Sequence, residues 1–156
     1  MSAEHSDNPG VVAMPPFILL AFIAAGLIIN FIYPLRYVHG AFRYAAGALF
    51  LVVSGVTVIA AHAVMRKAGT NANVRKPANV IVTGGVYRYT RNPMYLAMVL
   101  LLIALSLLLN NLWILILTPV FIGVMQKGVI EREESYLKRK FGSSYAKYKK
   151  TARRWI

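Results

Sequence analysis

"MYLAMVLLLIALSLLLNNLWILILTPVFIGVMQ", residues 94–126, runs for 33 positions without a charged side chain. A helix needs about 20 apolar residues to cross roughly 30 Å of hydrocarbon at 1.5 Å per residue. The stretch is too long for one span, so it predicts a helical hairpin. Asn110–Asn111 reads as the turn, with Trp113 beside it as an interfacial anchor. Pro119 predicts a kink in the second arm.

Two more apolar runs precede the hairpin. "PFILLAFIAAGLIINFIY", residues 16–33, is uncharged and is stopped by Pro34. "YAAGALFLVVSGVTVIAAHAVM", residues 44–65, is rich in Gly, Ala and Ser, which lets neighbouring backbones approach closely. His62 near its end reads as a packing residue. The expected fold class is all-α: a polytopic membrane protein and a single integral-membrane domain. Four transmembrane helices are expected at about 16–33, 44–65, 94–109 and 112–126, with a loop at 66–93 and a tail at 127–156. Composition agrees, because 58% of the residues are apolar, against about 45–50% in soluble domains.

Charge sets the sidedness. The formal net charge is +13, yet the basic residues flank apolar runs instead of forming one polar domain, so nucleic-acid binding is disfavoured. Arg66–Arg91 carries six Lys and Arg, Lys127–Arg154 carries ten, and the first loop carries Arg36 and Arg43. The long loop and the tail are therefore expected on the cytoplasmic side, and an even number of spans puts the N-terminus there as well. That N-terminus, "MSAEHSDNPG", lacks the basic start of a secretory signal, so the first run is expected to stay as a span. With no cysteine there is no disulfide and no thiolate chemistry. His5, His39 and His62 have no metal-ligand spacing, and no metal site is expected.

Two polar constellations stand out. "GGVYRYTRNPMY", residues 84–95, crowds arginines, tyrosines and glycines at the start of the hairpin. Interfacial anchoring accounts for all of it: Asn92 as helix cap, Pro93 at the first helical position, Arg88 and Arg91 at the inner surface. The glycines and the helix N-terminus also suit a ligand pocket, by close backbone approach and free N–H groups. The second constellation, Glu131–Arg132–Glu133–Glu134, is the lone acidic cluster after residue 8. It opens an amphipathic stretch with Val129, Ile130, Tyr136, Leu137 and Phe141 at helical spacing, ended by Gly142. A surface helix is expected, with Glu134 pairing Lys138 at i, i+4. A hairpin returns the chain to its starting surface, so the two constellations should meet. The result is a pocket with a cationic, aromatic half and an anionic half.

These blocks resemble a family of membrane methyltransferases. "GGVYRYTRNPMY", then after the hairpin "EREESYLKRKFGSSYAKYKKTARRWI", resembles the superfamily containing isoprenylcysteine carboxyl methyltransferases and phospholipid N-methyltransferases. The likeness covers residues 68–156. It implies a cytosolic-side pocket for S-adenosylmethionine formed by Gly85, Tyr87, Arg88, Arg91, Asn92, Pro93 and Tyr95 with Glu133 and Glu134. Leu137, Phe141, Gly142, Tyr145 and Tyr148 match the remaining pattern and read as structural. Asn92 stands where the carboxyl methyltransferases usually have His, Val86 replaces a Pro, and the "TARRWI" end lacks a usual Pro-containing segment.

The resemblance implies methyl transfer to a lipophilic acceptor, either an isoprenylcysteine-type carboxylate or a phospholipid amine. Arg91 or Arg88 would hold a carboxylate, whereas Glu133 or Glu134 would take the proton of an amine. The donor is already activated, so the chemistry calls for no metal. Two other readings compete: an NADPH-dependent membrane sterol or steroid reductase, and a non-enzymatic membrane scaffold with a lipid-binding tail. The glutamate pair weighs against NADPH, because it suits a cationic donor better.

Overall fold

The computed structural model describes residues 9–70 and 77–156. Glu4, His5 and Asp7 of the acidic N-terminus, and Arg75 and Lys76 of the long loop, lie outside them. Every regular element among the described residues is helical. Helix α1 spans Pro15–Ile32, α2 Phe42–Lys67, α3 Pro93–Leu109, α4 Leu112–Met125 and α5 Glu131–Thr151. A 3₁₀ turn, Gly85–Arg88, precedes α3, and a π-helical segment, Gln126–Ile130, joins α4 to α5.

The hairpin turn is built from two asparagines with different jobs. Asn110 takes the left-handed conformation that ends α3, at φ 49° and ψ 49°, which asparagine tolerates better than most residues. Asn111 caps α4, its Oδ1 accepting from the Ile114 N–H at 3.3 Å. Pro119 is accommodated within α4. The second arm runs past Gln126 without a break in the helix. It continues into α5 as one 40-residue helical run, Leu112–Thr151. Together with α1 and α2, that gives three helices long and apolar enough to cross a membrane. α3 has 17 residues, about 26 Å at 1.5 Å each.

α3 is the central element, packed between α2 and α4, while α1 packs on α4. Small residues set the distances. Gly47, Ser54 and Ala61 are the buried positions of α2 and share one stripe. Ser54 Oγ donates to the Ala97 carbonyl at 2.7 Å, and a Cβ on Gly47 would sit 2.6 Å from Leu108 Cγ. Gly26 does the same for α1 and α4: its Cβ would meet Ile114 Cγ1 at 2.6 Å. The core holds Leu102, Ile114, Phe121 and Met125, all essentially fully buried. Large apolar side chains cover the outside instead of polar ones. Phe31 is 90% exposed, and Phe17, Leu20, Val52 and Ile59 are also exposed. Water would not tolerate so continuous an apolar surface, whereas hydrocarbon does.

The chain segregates its connections to two ends. At one end the first loop docks on the asparagine turn, with Tyr37 and Val38 N–H groups donating to Asn110 Oδ1 at 3.0 and 3.1 Å. At the other end the residues before α1 meet the π segment, Val12 N–H donating to the Gly128 carbonyl at 3.2 Å. The Tyr–Arg stretch and α5 lie at this second end.

Candidate active site

Gly85 sets the direction of the Tyr–Arg stretch. Its φ is +56°, and a Cβ there would lie 2.7 Å from Val64 Cγ2 on α2, so both conformation and contact require glycine. The turn that follows puts Tyr87 inside, while Arg88 and Tyr89 face outward. Tyr148 Oη donates to the Tyr87 carbonyl at 2.7 Å and locks the turn to α5.

Beyond the turn, the chain end runs alongside. Thr90 and Arg153 form a parallel β-bridge, and the Arg91 N–H donates to the Arg153 carbonyl at 2.8 Å. Asn92 stands at the start of α3 but does not cap it with its side chain. Its Nδ2 instead donates to the Arg154 carbonyl at 2.8 Å.

Glu134 is the electrostatic hub. Arg91 Nη2 donates to Oε1 at 2.9 Å, and Arg154 grips both oxygens, Nε to Oε1 at 3.0 Å and Nη2 to Oε2 at 2.8 Å. Lys149 Nζ lies 3.5 Å from Oε2. The expected local pair with Lys138 is therefore replaced by three long-range partners. The cause is the backbone at Gly142, φ 51° and ψ −120°, which kinks α5 so that its second arm returns toward the first. Burial alone would raise the Glu134 carboxyl, but the Arg154 hydrogen bonds and the charges of Arg91, Arg154 and Lys149 outweigh it, and it titrates below its ordinary value. Arg91 also donates to the Lys149 and Ala152 carbonyls, at 3.0 and 3.3 Å. Its Nε is buried with no hydrogen-bond partner among the described residues.

Glu133, one residue earlier, has a different environment. It accepts one hydrogen bond, from Tyr95 Oη at 2.8 Å. Burial pushes its carboxyl up to about 7; the Tyr95 hydrogen bond opposes this and the Glu134 charge adds to it. Adjacent glutamates thus shift in opposite directions, Glu134 below its ordinary value and Glu133 up to about 7. Burial likewise raises Tyr87, and takes Tyr145 and Tyr148 to about 12, so these phenols stay neutral.

Both glutamates line one cavity of about 150 Å³. From the expected set, Tyr87, Arg91, Asn92, Pro93 and Tyr95 line it as well. Gly85 and Arg88 do not; Gly85 shapes the turn behind the wall, and Arg88 is exposed with no bond to a described residue. More of the wall comes from residues that the sequence reading left out or treated as structural, among them Tyr145, Tyr148 and Leu137, and from Ala78, Val80, Ile81 and Val82 of the long loop. Arg154 was also missed. Nothing distinguishes it locally from the other bases of the tail, but Gly142 does signal that the tail turns back toward the glutamates.

The model for the family described as phospholipid methyltransferase matches residues 42–144. An uncharacterized protein of Haemophilus influenzae is 43% identical over 63 residues, 40% of this chain and the whole of the relative. A protein-S-isoprenylcysteine O-methyltransferase of Schizosaccharomyces pombe is 32% identical over 79 residues, 51% of this chain and 34% of its own length. This chain therefore spans about a third of that enzyme. No solved structure matches. The family match runs from the start of α2 to just past the Gly142 kink, so it takes in the Tyr–Arg turn, the hairpin and both glutamates. This chain belongs to the phospholipid methyltransferase family of membrane methyltransferases.

Proposed function

We propose that this chain transfers a methyl group from S-adenosylmethionine to a lipophilic acceptor at the cytoplasmic face of a membrane, and that the accepting atom is an amine nitrogen. One observation carries the reading. In a member of a methyltransferase family, Arg91–Glu134 and Tyr95–Glu133 close around the same cavity.

The residues fit the donor. Neutral tyrosine faces at Tyr87, Tyr145 and Tyr148 would hold a sulfonium and an adenine ring. The free Nε of Arg91, the amide of Asn92 and the start of α3 at Pro93 would receive its carboxylate. When bound, the sulfonium supplies an already activated methyl, so the protein's work is positioning.

The charges favour an amine over a carboxylate. Among the described residues, the charged groups lining the cavity are Arg91, Glu133 and Glu134; Arg91 is paired with Glu134, and in this reading its one free N–H, at Nε, is taken by the donor's carboxylate. A carboxylate acceptor would face Glu133 without a free cation. An ammonium acceptor would find in Glu133 a base near neutral pH, which takes the proton and leaves the nitrogen lone pair free.

The membrane frame has four spans in this reading, with the short α3 as the fourth, sheltered by its neighbours. α5 lies at the surface. The ten bases of the tail and the six of the long loop support a cytoplasmic cavity. The acceptor would enter sideways from the lipid.

Titration calorimetry with S-adenosylhomocysteine tests the site. Wild-type protein should bind it in preference to NADPH, Arg91→Ala should weaken it at least about tenfold, and Glu133→Ala should lose methyl transfer. Wild-type affinity in Arg91→Ala together with wild-type turnover in Glu133→Ala would reject the assignment. Mass spectrometry of lipid extracts incubated with isotopically labelled donor identifies the acceptor, and a methyl ester product would reject the amine.

A further inference from the structure

The kink at Gly142 folds α5 into two arms, and the cavity uses only the side that meets the start of α3. A second groove opens on the other side. Glu131, Ser135 and Lys138 line it from the first arm, and Lys149 and Lys150 from the second, with Arg154 at its end. Glu134 and Tyr145 line both the groove and the cavity, so one wall serves the two spaces.

The groove is electrically unbalanced. Four cations face two carboxylates. Glu134 is already saturated, and Glu131 lies 3.7 Å from Arg154. Lys138 and Lys150 are exposed and make no ion pair with a described residue. An anion is the missing partner.

The level of the groove identifies the source of that anion. Trp155, next to Arg154, donates its indole N–H to Gln126 Oε1 at 3.3 Å and packs on the apolar core. Gln126 is the first residue after α4, so the Arg154 end of the groove lies where the chain leaves its apolar span. Tryptophan favours that boundary, and lipid phosphates sit just outside it. We propose that this groove is a headgroup site for an anionic phospholipid, separate from the methyl acceptor. Lys138, Lys150 and Arg154 would contact its phosphate. The proposal rests on the membrane placement above and not on the methyl-transfer chemistry.

The chain has two tryptophans, so Trp113→Phe leaves Trp155 as the sole reporter beside the groove. This full-length variant is placed in phosphatidylcholine nanodiscs with small fractions of lipid brominated in its acyl chain. Brominated phosphatidylglycerol should quench Trp155 at concentrations at least about fivefold below those needed with brominated phosphatidylcholine, since each basic residue at the surface strengthens the attraction. Adding Lys138→Gln and Lys150→Gln should abolish the preference without changing the melting temperature in pure phosphatidylcholine. Equal quenching by the two lipids overturns the proposal, and so does a preference that survives the double substitution. Reversal of the quenching by millimolar inorganic phosphate would assign the groove to a soluble anion and also overturn it.

Discussion

Glu133 and Glu134 are neighbours in sequence, and their difference is set by which side chains reach them. Glu134 receives two arginines and a lysine, whereas Glu133 receives one phenol. Two predictions follow from that contrast. Turnover of an amine acceptor should rise with pH through an apparent midpoint near 7, as Glu133 ionises. Glu133→Gln should remove this limb and cost about 10²–10⁴-fold in kcat. Tyr95→Phe should move the midpoint upward, because the Tyr95 hydrogen bond favours the ionised carboxylate; a downward shift in a pH–rate series would contradict the assignment.

Stability should move the opposite way. The folded-state pKa of Glu133 is raised, so its contribution is present below 4.5 and lost as pH climbs through about 7. At pH 8, Glu133→Gln should therefore raise the melting temperature. Glu134→Gln should lower it, by about 3 kcal/mol of stability, the low end for breaking a buried pair. Arg91 would be left buried, while Arg154, 30% exposed, relaxes into water. Melting curves of the two variants in detergent at pH 8 check the sign of each.

At the level of the elements, the apolar helices were legible because apolar length and a paired-asparagine turn are local signals. The small stripe of α2 was legible for the same reason. What stayed hidden depends on chain reversal. The i, i+4 rule pairs Glu134 with Lys138, because it treats α5 as straight. Gly142 folds α5 back, and residues 15 and 20 positions onward, Lys149 and Arg154, become the partners. The π segment was also hidden, since nothing in "QKGVI" distinguishes it from an α-turn. It carries one residue more than the α-helical pattern and buries Val129 and Ile130 completely. The π segment absorbs that residue without turning α5 by the roughly 100° that one added residue gives an α-helix. Deleting the exposed Lys127 should therefore restore α-geometry and leave Glu133 and Glu134 facing the cavity. The deletion variant should keep S-adenosylhomocysteine binding, whereas one alanine inserted after Ile130 should abolish it. Loss of binding on the deletion, by calorimetry, would show that the π segment itself shapes the site.

At the scale of the whole molecule, the folded chain ties both halves of the site to one end by contacts that charge counting cannot supply. Arg91 bonds to Arg153, Asn92 to Arg154, and Trp155 to Gln126. The first loop and the asparagine turn interlock at the other end. In the proposed four-span frame the two ends face opposite sides of a bilayer, and the Lys and Arg counts would put the cavity end in the cytoplasm. The absence of cysteine makes that assignment directly measurable. Single cysteines at Thr83 and Ser143, both exposed at the cavity end, and at His39, exposed in the first loop, each give one labelling site. In intact cells a membrane-impermeant maleimide should modify His39→Cys and spare Thr83→Cys and Ser143→Cys until the membrane is permeabilised. The reverse pattern would invert the protein and move the cavity away from the cytoplasmic supply of the methyl donor. Labelling of Thr83→Cys without Ser143→Cys would be worse for the reading, because it would split the two halves of the site that Arg91 and Glu134 hold together.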